Sequence, residues 1–288
     1  MRRVKLQIML SLALLCLGVG ARAATRVFEF EQWRVEVDNL TGDVTVDYGE
    51  KRLLNKSNAA WGADNHRRAM SQATSYRVAM SPNSDIYGEG RLITLRARYA
   101  TQRVEQRIYL YSGKPFIHTE LEVAAEEGVA LNYMAPVSIT KGYALFGEER
   151  KECHSLFIPF DNDAFIRYRS IPFGKPTESY GVTAFFDAAS RRGMVVGAVE
   201  HTEWKSGINA TTKGSAIESL RVYGGASSAT TRDLIPHGKV VGQRVKSPRI
   251  TIGWWSDWRD GMESFGEQCE VFAPRLPSMN PTKGFMMQ

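Results

Sequence analysis

The feature that most constrains this chain is its period. Through most of its length polar and apolar residues alternate one by one, and the three-or-four spacing of a helix emerges once, near the end. Alternation sends successive side chains to opposite faces of a strand. Arg34-Val35-Glu36-Val37-Asp38 alternates, turns through Asn39 to Gly42, and resumes over Val44-Thr45-Val46-Asp47-Tyr48, the pattern of a hairpin. Residues 92–99 and 102–111 predict a second pair, and residues 115–124 a third strand with Phe116, His118, Glu120 and Glu122 on one face. Shorter strands are expected over 131–140, 154–159, 165–169, 180–186, 193–199, 203–208, 217–223 and 249–253. Asp187 to Gly193 has the composition of a hairpin turn. Residues 55–74 are polar and irregular and read as a long loop.

The one helical stretch is 257–272, where Trp258, Met262, Phe265, Cys269 and Phe272 share a face. Ser256 or Asp257 suits its N-cap, and Asp260 and Glu263 suit its first turn. About fifteen short strands and a single late helix predict an all-β fold, a large antiparallel two-sheet sandwich. The expected organisation is a targeting segment over 1–23, the sandwich over 24–255, a connecting helix over 256–272 and a linker over 273–288.

The first 23 residues have the marks of a cleavable signal peptide. Arg2, Arg3 and Lys5 precede an apolar run from Leu6 to Gly20, and Ala21-Arg22-Ala23 matches a small-x-small cleavage site. The expected location is therefore secreted or periplasmic, with no membrane association after cleavage. Leu15 stands before Cys16 where a lipoprotein would carry a small residue. Cleavage would remove four of the 37 basic residues and no acid, leaving 33 against 31, so the high pI belongs largely to the leader. No nucleic-acid partner is expected from that balance. Cys153 and Cys269 remain, far apart and without metal spacing, with their pairing left open.

Three clusters are candidates for chemistry. Asp161, Asn162 and Asp163 crowd a bend between apolar strands; short acceptors there satisfy their own turn, contact sugar hydroxyls or join a cation site. Glu200-His201 beside Trp204, with His118 elsewhere, offers the acid, base and aromatic platform that opening a sugar ring requires, or simply strand-end residues that satisfy one another. Trp254-Trp255-Ser256-Asp257-Trp258 holds three of the six tryptophans and reads as a sugar platform or as the anchor of an inter-domain joint. No zinc, phosphate-loop, G-x-S-x-G or nucleophilic-cysteine signature is present, and no cofactor is expected.

Three stretches together carry a family resemblance: Phe157-Ile158-Pro159-Phe160-Asp161-Asn162-Asp163, then Gly193-Met194-Val195-Val196-Gly197-Ala198-Val199-Glu200-His201, then residues 252–263 from Ile252-Gly253-Trp254-Trp255 to Gly261-Met262-Glu263. Over roughly residues 27–277 the chain resembles the N-terminal region of α-galactosidase-like glycosidases, glycoside hydrolase family 36 and its secreted bacterial relatives. That resemblance implies a β-supersandwich of galactose-mutarotase-like topology, followed by a helix and a proline-rich crossing into a catalytic (β/α)8 barrel. It places the family's two catalytic aspartates on barrel strands, so no residue here receives a catalytic role. Where the first barrel strand would read like Phe-Gly-Trp-Asn-Ser-Trp, this sequence has Gly284-Phe285-Met286-Met287-Gln288. The expectation is a non-catalytic, carbohydrate-associated domain lacking its barrel. Asp161, Asn162 and Asp163 would reach a galactoside-type sugar, and a bared tryptophan joint would favour self-association. A free-standing carbohydrate-binding or structural sandwich, and an aldose 1-epimerase-like enzyme, are the alternatives.

Overall fold

The alternation resolves into three antiparallel sheets in a computed structural model that describes residues 25–147, 152–160, 166–227, 233 and 235–273. The first sheet is a four-stranded meander of β1 (Thr25–Phe30), β2 (Trp33–Asp38), β3 (Val44–Tyr48) and β4 (Lys51–Ser57). Then follow β5 (Ala60–Ala63), β6 (His66–Ala69), a 3-10 turn at Met70–Gln72, β7 (Ser75–Asp85), β8 (Gly88–Tyr99), β9 (Gln102–Tyr111) and β10 (Phe116–Leu131). Next are β11 (Tyr133–Ile139), β12 (Tyr143–Ala144), β13 (Cys153–Phe157), β14 (Arg169–Pro172), β15 (Thr177–Tyr180), β16 (Val182–Asp187) and β17 (Gly193–Ala198). The chain continues through β18 (Ser206–Lys213), β19 (Ala216–Gly224), β20 (Val240–Lys246) and β21 (Ile250–Trp255) to α1 (Trp258–Phe272).

The largest sheet has ten strands in the order β14-β13-β16-β17-β21-β10-β9-β8-β7, with β20 on the far half of β10. β10 is long enough to pair β9 along one edge while β21 and then β20 share the other, Phe116 to Thr119 meeting β21 and Glu122 to Leu131 meeting β20. A seven-stranded sheet runs β15-β18-β19-β11-β5-β6, with β12 on β19. Val35, Leu53, Ile93, Ile108, Leu121, Met134, Leu220 and Ile252, drawn from all three sheets, meet in one continuous core.

The fold is all-β with a single C-terminal helix, as expected, but it differs from the sequence reading in particulars. There is a third sheet. Residues 55–74 are not a loop: they hold the end of β4, then β5, β6 and the 3-10 turn, with Trp61 and Met70 fully buried. β5 and β6, at four residues each, are too short to show a period. β1, β7 and β20 also escaped notice, because most of their residues are exposed on both faces and do not alternate. Of the strand expected over 165–169, Phe165 lies outside the described residues, and pairing begins only at Arg169. The leader and the linker beyond residue 273 also lie outside the described residues.

The helix forms where its period predicts. Asp257 caps it by accepting from the Arg259 backbone N–H at 3.1 Å. Its apolar face lies on the outer side of the ten-stranded sheet, where Trp258, Met262, Phe265, Cys269 and Phe272 pack over Tyr111, Phe116, Phe186, Val195 and Trp255. Trp258 stacks on Phe186 with ring centroids 4.4 Å apart. Glycines permit the approach: a Cβ at Gly261 would sit 2.7 Å from both Trp255 Cε3 and Val195 Cγ2. On an exposed helix Gly→Ala gains roughly 1 kcal/mol of propensity. Here the sign inverts, and Gly261→Ala is expected to lose about 1–3 kcal/mol by overpacking in urea denaturation; a stabilised variant would show that α1 does not sit this closely.

The tryptophans therefore anchor. Trp255 is buried under α1, while Trp254 faces the core beside Phe146 at 5.7 Å. Of the tryptophan joint expected to lie bare, Trp255 is buried beneath the chain's own helix and Trp254 and Trp258 are half-buried. Cys269 keeps a free thiol on α1, so the two cysteines are not joined.

Candidate functional site: a buried polar cluster beneath the helix

The face of β10 that carries Phe116, His118, Glu120 and Glu122 is the face α1 covers. Beside it β9 sends up Arg107, Tyr109 and Tyr111, in register with Glu120, His118 and Phe116 or their neighbours. β7 contributes Asp85, its turn Tyr87, and the residue before β21 is Arg249. These side chains form one connected network.

His118 is wholly buried, and both ring nitrogens are engaged. Nε2 lies 2.8 Å from Gln268 Oε1 of α1, and Nδ1 lies 3.1 Å from the Tyr111 hydroxyl. The amide nitrogen of Gln268 donates to the Ser264 carbonyl at 3.0 Å, which orients the amide, so His118 donates through Nε2. The Tyr111 proton then has two claimants, His118 Nδ1 and Asp85 Oδ2 at 3.0 Å. Burial pushes the imidazole down to about 4, with Arg249 acting in the same direction and the Gln268 bond opposing. His118 is neutral at physiological pH. The Tyr87 ring meets it edge-on at 4.4 Å.

Glu120 is 1% exposed. It accepts from the Tyr109 hydroxyl at 2.8 Å and from Arg107 at 3.0 Å, with Lys246 at 3.2 Å and Arg249 at 3.4 Å. Burial alone would raise its pKa; Arg249, Lys246, Arg107 and the Tyr109 hydroxyl outweigh it and hold the carboxyl down to about 2. Arg249 spans the network, 3.0 Å from Asp85 and 3.5 Å from Glu200, with its guanidinium 4.4 Å above the Tyr109 ring. Burial would weaken that charge, but the surrounding carboxylates keep Arg249 firmly protonated. Burial raises the Glu200 pKa.

Of the residues singled out in the sequence, the structure unites His118 and Glu200 in this network and leaves His201 exposed outside it. Trp204 is buried, donating to the Lys246 carbonyl at 2.7 Å and stacking on His237. Asp161, Asn162 and Asp163 lie outside the described residues; the preceding Phe160 is 44% exposed and meets Tyr180 edge-on at 4.7 Å. Asp85, Tyr87, Tyr109, Tyr111 and Arg249 were missed. Tyr109 and Tyr111 had a signal, since they alternate with Arg107 on one face of a predicted strand. Asp85 and Arg249, 164 positions apart, had none.

The arrangement holds charge still. His118 is sealed by Gln268 of α1 and Glu120 by Tyr109, Arg107, Lys246 and Arg249, so neither presents a free face for proton transfer to a sugar. Among the described residues no group of three or more His, Cys, Asp or Glu is placed to hold a metal ion. No described helix is long and apolar enough to cross a membrane.

The sheets and the single C-terminal helix form an all-β sandwich whose fold is like that of galactose-mutarotase-like domains. No family model matches the sequence, and no curated protein matches it. Among solved structures the chain is similar to a glycoside hydrolase family 97 enzyme from Pseudoalteromonas sp. strain K8 in complex with acarbose, at TM-score 0.58 and 11% identity, covering 81% of this chain and 36% of that one. It is similar to an alpha-N-acetylgalactosaminidase from Bifidobacterium bifidum in complex with GalNAc, at TM-score 0.53 and 9% identity over 84% and 39%. It is also similar to a candidate aldose 1-epimerase from Escherichia coli K12, at TM-score 0.52 and 7% identity over 80% and 98%. The chain thus spans little more than a third of the length of these glycosidases, and at such identities the likeness is one of fold.

Proposed function

We propose that this chain acts as the non-catalytic, carbohydrate-associated β-sandwich of a secreted or periplasmic glycoside hydrolase of the α-galactosidase type, with hydrolysis requiring a barrel domain. The observation that carries this reading is the pattern of coverage: the likeness takes in four-fifths of this chain and only 36–39% of the glycosidases. The three motif stretches that resemble family 36 supply the finer assignment. Asp161, Asn162 and Asp163 are its sugar-contacting candidates, next in sequence to the exposed Phe160 ring.

A second reading, a free-standing epimerase-like enzyme, draws on the nearly full-length likeness to the epimerase candidate. The burial of His118 beneath Gln268 speaks against it. One experiment separates the two. The purified chain should accelerate neither aryl α-galactoside hydrolysis nor the mutarotation of galactose followed by polarimetry. It should bind neutral galactosides in titration calorimetry, and the triple change Asp161→Ala, Asn162→Ala, Asp163→Ala should weaken that binding by about tenfold or more, the scale of losing one charge-assisted hydrogen bond. Accelerated mutarotation would overturn the reading in favour of the enzyme.

A further inference from the structure

Beyond the buried network, the same outer face of the ten-stranded sheet opens into a groove of about 570 Å³ near the β7 edge. Six arginines line it, Arg77, Arg96, Arg98, Arg103, Arg107 and Arg244, against two carboxylates, Glu105 and Glu122. Over residues 24–288 the 33 basic and 31 acidic side chains nearly balance, which conceals this local excess. Part of the wall is held in place. Arg107 is braced by Glu105 at 2.6 Å, Glu120 at 3.0 Å and Glu122 at 3.3 Å, Arg96 by Glu105 at 2.6 Å, and Arg244 reaches Glu122 at 3.6 Å. Arg77, Arg98 and Arg103 have no carboxylate within ion-pair distance among the described residues.

The strand register makes this costly. Arg98 on β8 stands directly opposite Arg103 on β9, and Arg77 on β7 directly opposite Arg96 on β8. Like charges facing one another across neighbouring strands destabilise a sheet. Two such pairs lie side by side on this face. Other arginines on this molecule do find carboxylates, as Arg52 does on Asp47 at 2.9 Å and Arg259 on Asp257. Arg98, Arg103 and Arg244 fall in one row across β8, β9 and β20, with the small Ala124 of β10 between them. Three inter-strand spacings make that row about 14 Å long, an extended line rather than a pocket for one small anion. Guanidinium forks suit carboxylate and sulfate oxygens, which they meet in pairs.

We propose that this arginine groove is a binding site for an anionic oligosaccharide, one carrying carboxylate or sulfate groups along its length. The proposal rests on the carbohydrate-associated reading above for the saccharide backbone, and on the groove itself for the charge. The anion would relieve the cross-strand repulsion that the folded chain otherwise carries.

The test uses the full chain and a change designed to leave folding intact. Arg98→Glu turns the repulsive pair with Arg103 into an opposite-charge pair, so its denaturation midpoint should match or exceed that of the unaltered protein. Titration calorimetry is run with oligogalacturonides, sulfated galactan oligosaccharides, neutral galacto-oligosaccharides and a DNA oligonucleotide of matched charge. The expected result is binding of one or both acidic saccharides, weakened by added salt and reduced about tenfold or more by Arg98→Glu, with neutral binding unchanged. Which acidic series binds tells carboxylate from sulfate. Neutral saccharides binding alone would overturn this proposal and leave the proposed function standing; DNA binding as tightly as the acidic saccharides would also overturn it, as a site for polyanions of any kind. No binding of any saccharide would sink both readings.

Discussion

Replacing Glu120 with alanine is expected to destabilise the fold by about 3–5 kcal/mol, the scale of removing one partner from a buried charge network. The carboxylate is 1% exposed and gathers Tyr109, Arg107, Lys246 and Arg249 around it. Without it, Arg249 keeps its desolvation and retains only Asp85 and Glu200 among its nearby carboxylates. The Tyr109 hydroxyl, buried too, loses its acceptor. The contrasting case is Asp47→Ala, which removes the partner of Arg52 on a pair whose arginine is 42% exposed and should cost at most about 1 kcal/mol. Guanidinium denaturation of both variants checks the ordering. A Glu120→Ala variant within about 1 kcal/mol of the parent would mean that the network does not stabilise this sheet.

The second large effect is acid sensitivity with a defined window. His118 in the folded chain titrates near 4, against 6.5 for the ordinary group. As pH falls from about 6.5 to about 4, the unfolded chain takes up a proton that the folded chain refuses, so stability falls. At about 1.4 kcal/mol for each unit of difference, the loss attributable to His118 is about 3 kcal/mol by the bottom of that range. Glu120 extends the slope downward: its carboxyl is held near 2 against an ordinary 4.5, so the unfolded chain protonates first there too. Unfolding curves collected at half-unit steps from pH 7.5 to 4 should show the decline. His118→Gln cannot ionise, and it should flatten the curve between pH 6.5 and 4 whatever its effect on stability at pH 7. A variant with the parent's slope would assign the acid sensitivity to other groups.

How far this was legible in the sequence depended on where each signal was stored. Strands β8, β9 and β10 announce themselves because each has two different faces, and the row Phe116, His118, Glu120, Glu122 was visible as a face before its surroundings were known. What covers that row was not visible. Gln268 lies 150 positions from His118, and the helical period of α1 says which side of the helix is apolar but not which sheet receives it. Arg249 read as the ordinary first residue of a strand over 249–253. Its importance arises only when β21 brings it beside β10 and Asp85 arrives from β7. Edge strands β7 and β20 left no periodic trace because solvent reaches both of their faces, and β5 and β6 are too short for a period of two to be read. The run Asp161-Asn162-Asp163 was conspicuous by composition alone, a kind of signal that does not say what the residues touch.

The position of β21 has a consequence for how the molecule is assembled. This strand, Ile250–Trp255, lies between β17 and β10, joining the two halves of the ten-stranded sheet. Until it is available, β10 and β17 each present an open, unpaired edge, the hazard that invites wrong partners. A nascent chain must therefore release residues through Trp255 before its largest sheet can close, and partial folding of the earlier residues yields two half-sheets instead of one growing domain. Such non-local closure is slow and exposed to misassembly. Release of the chain through Trp255 therefore precedes closure, with β21 entering as a keystone between β17 and β10.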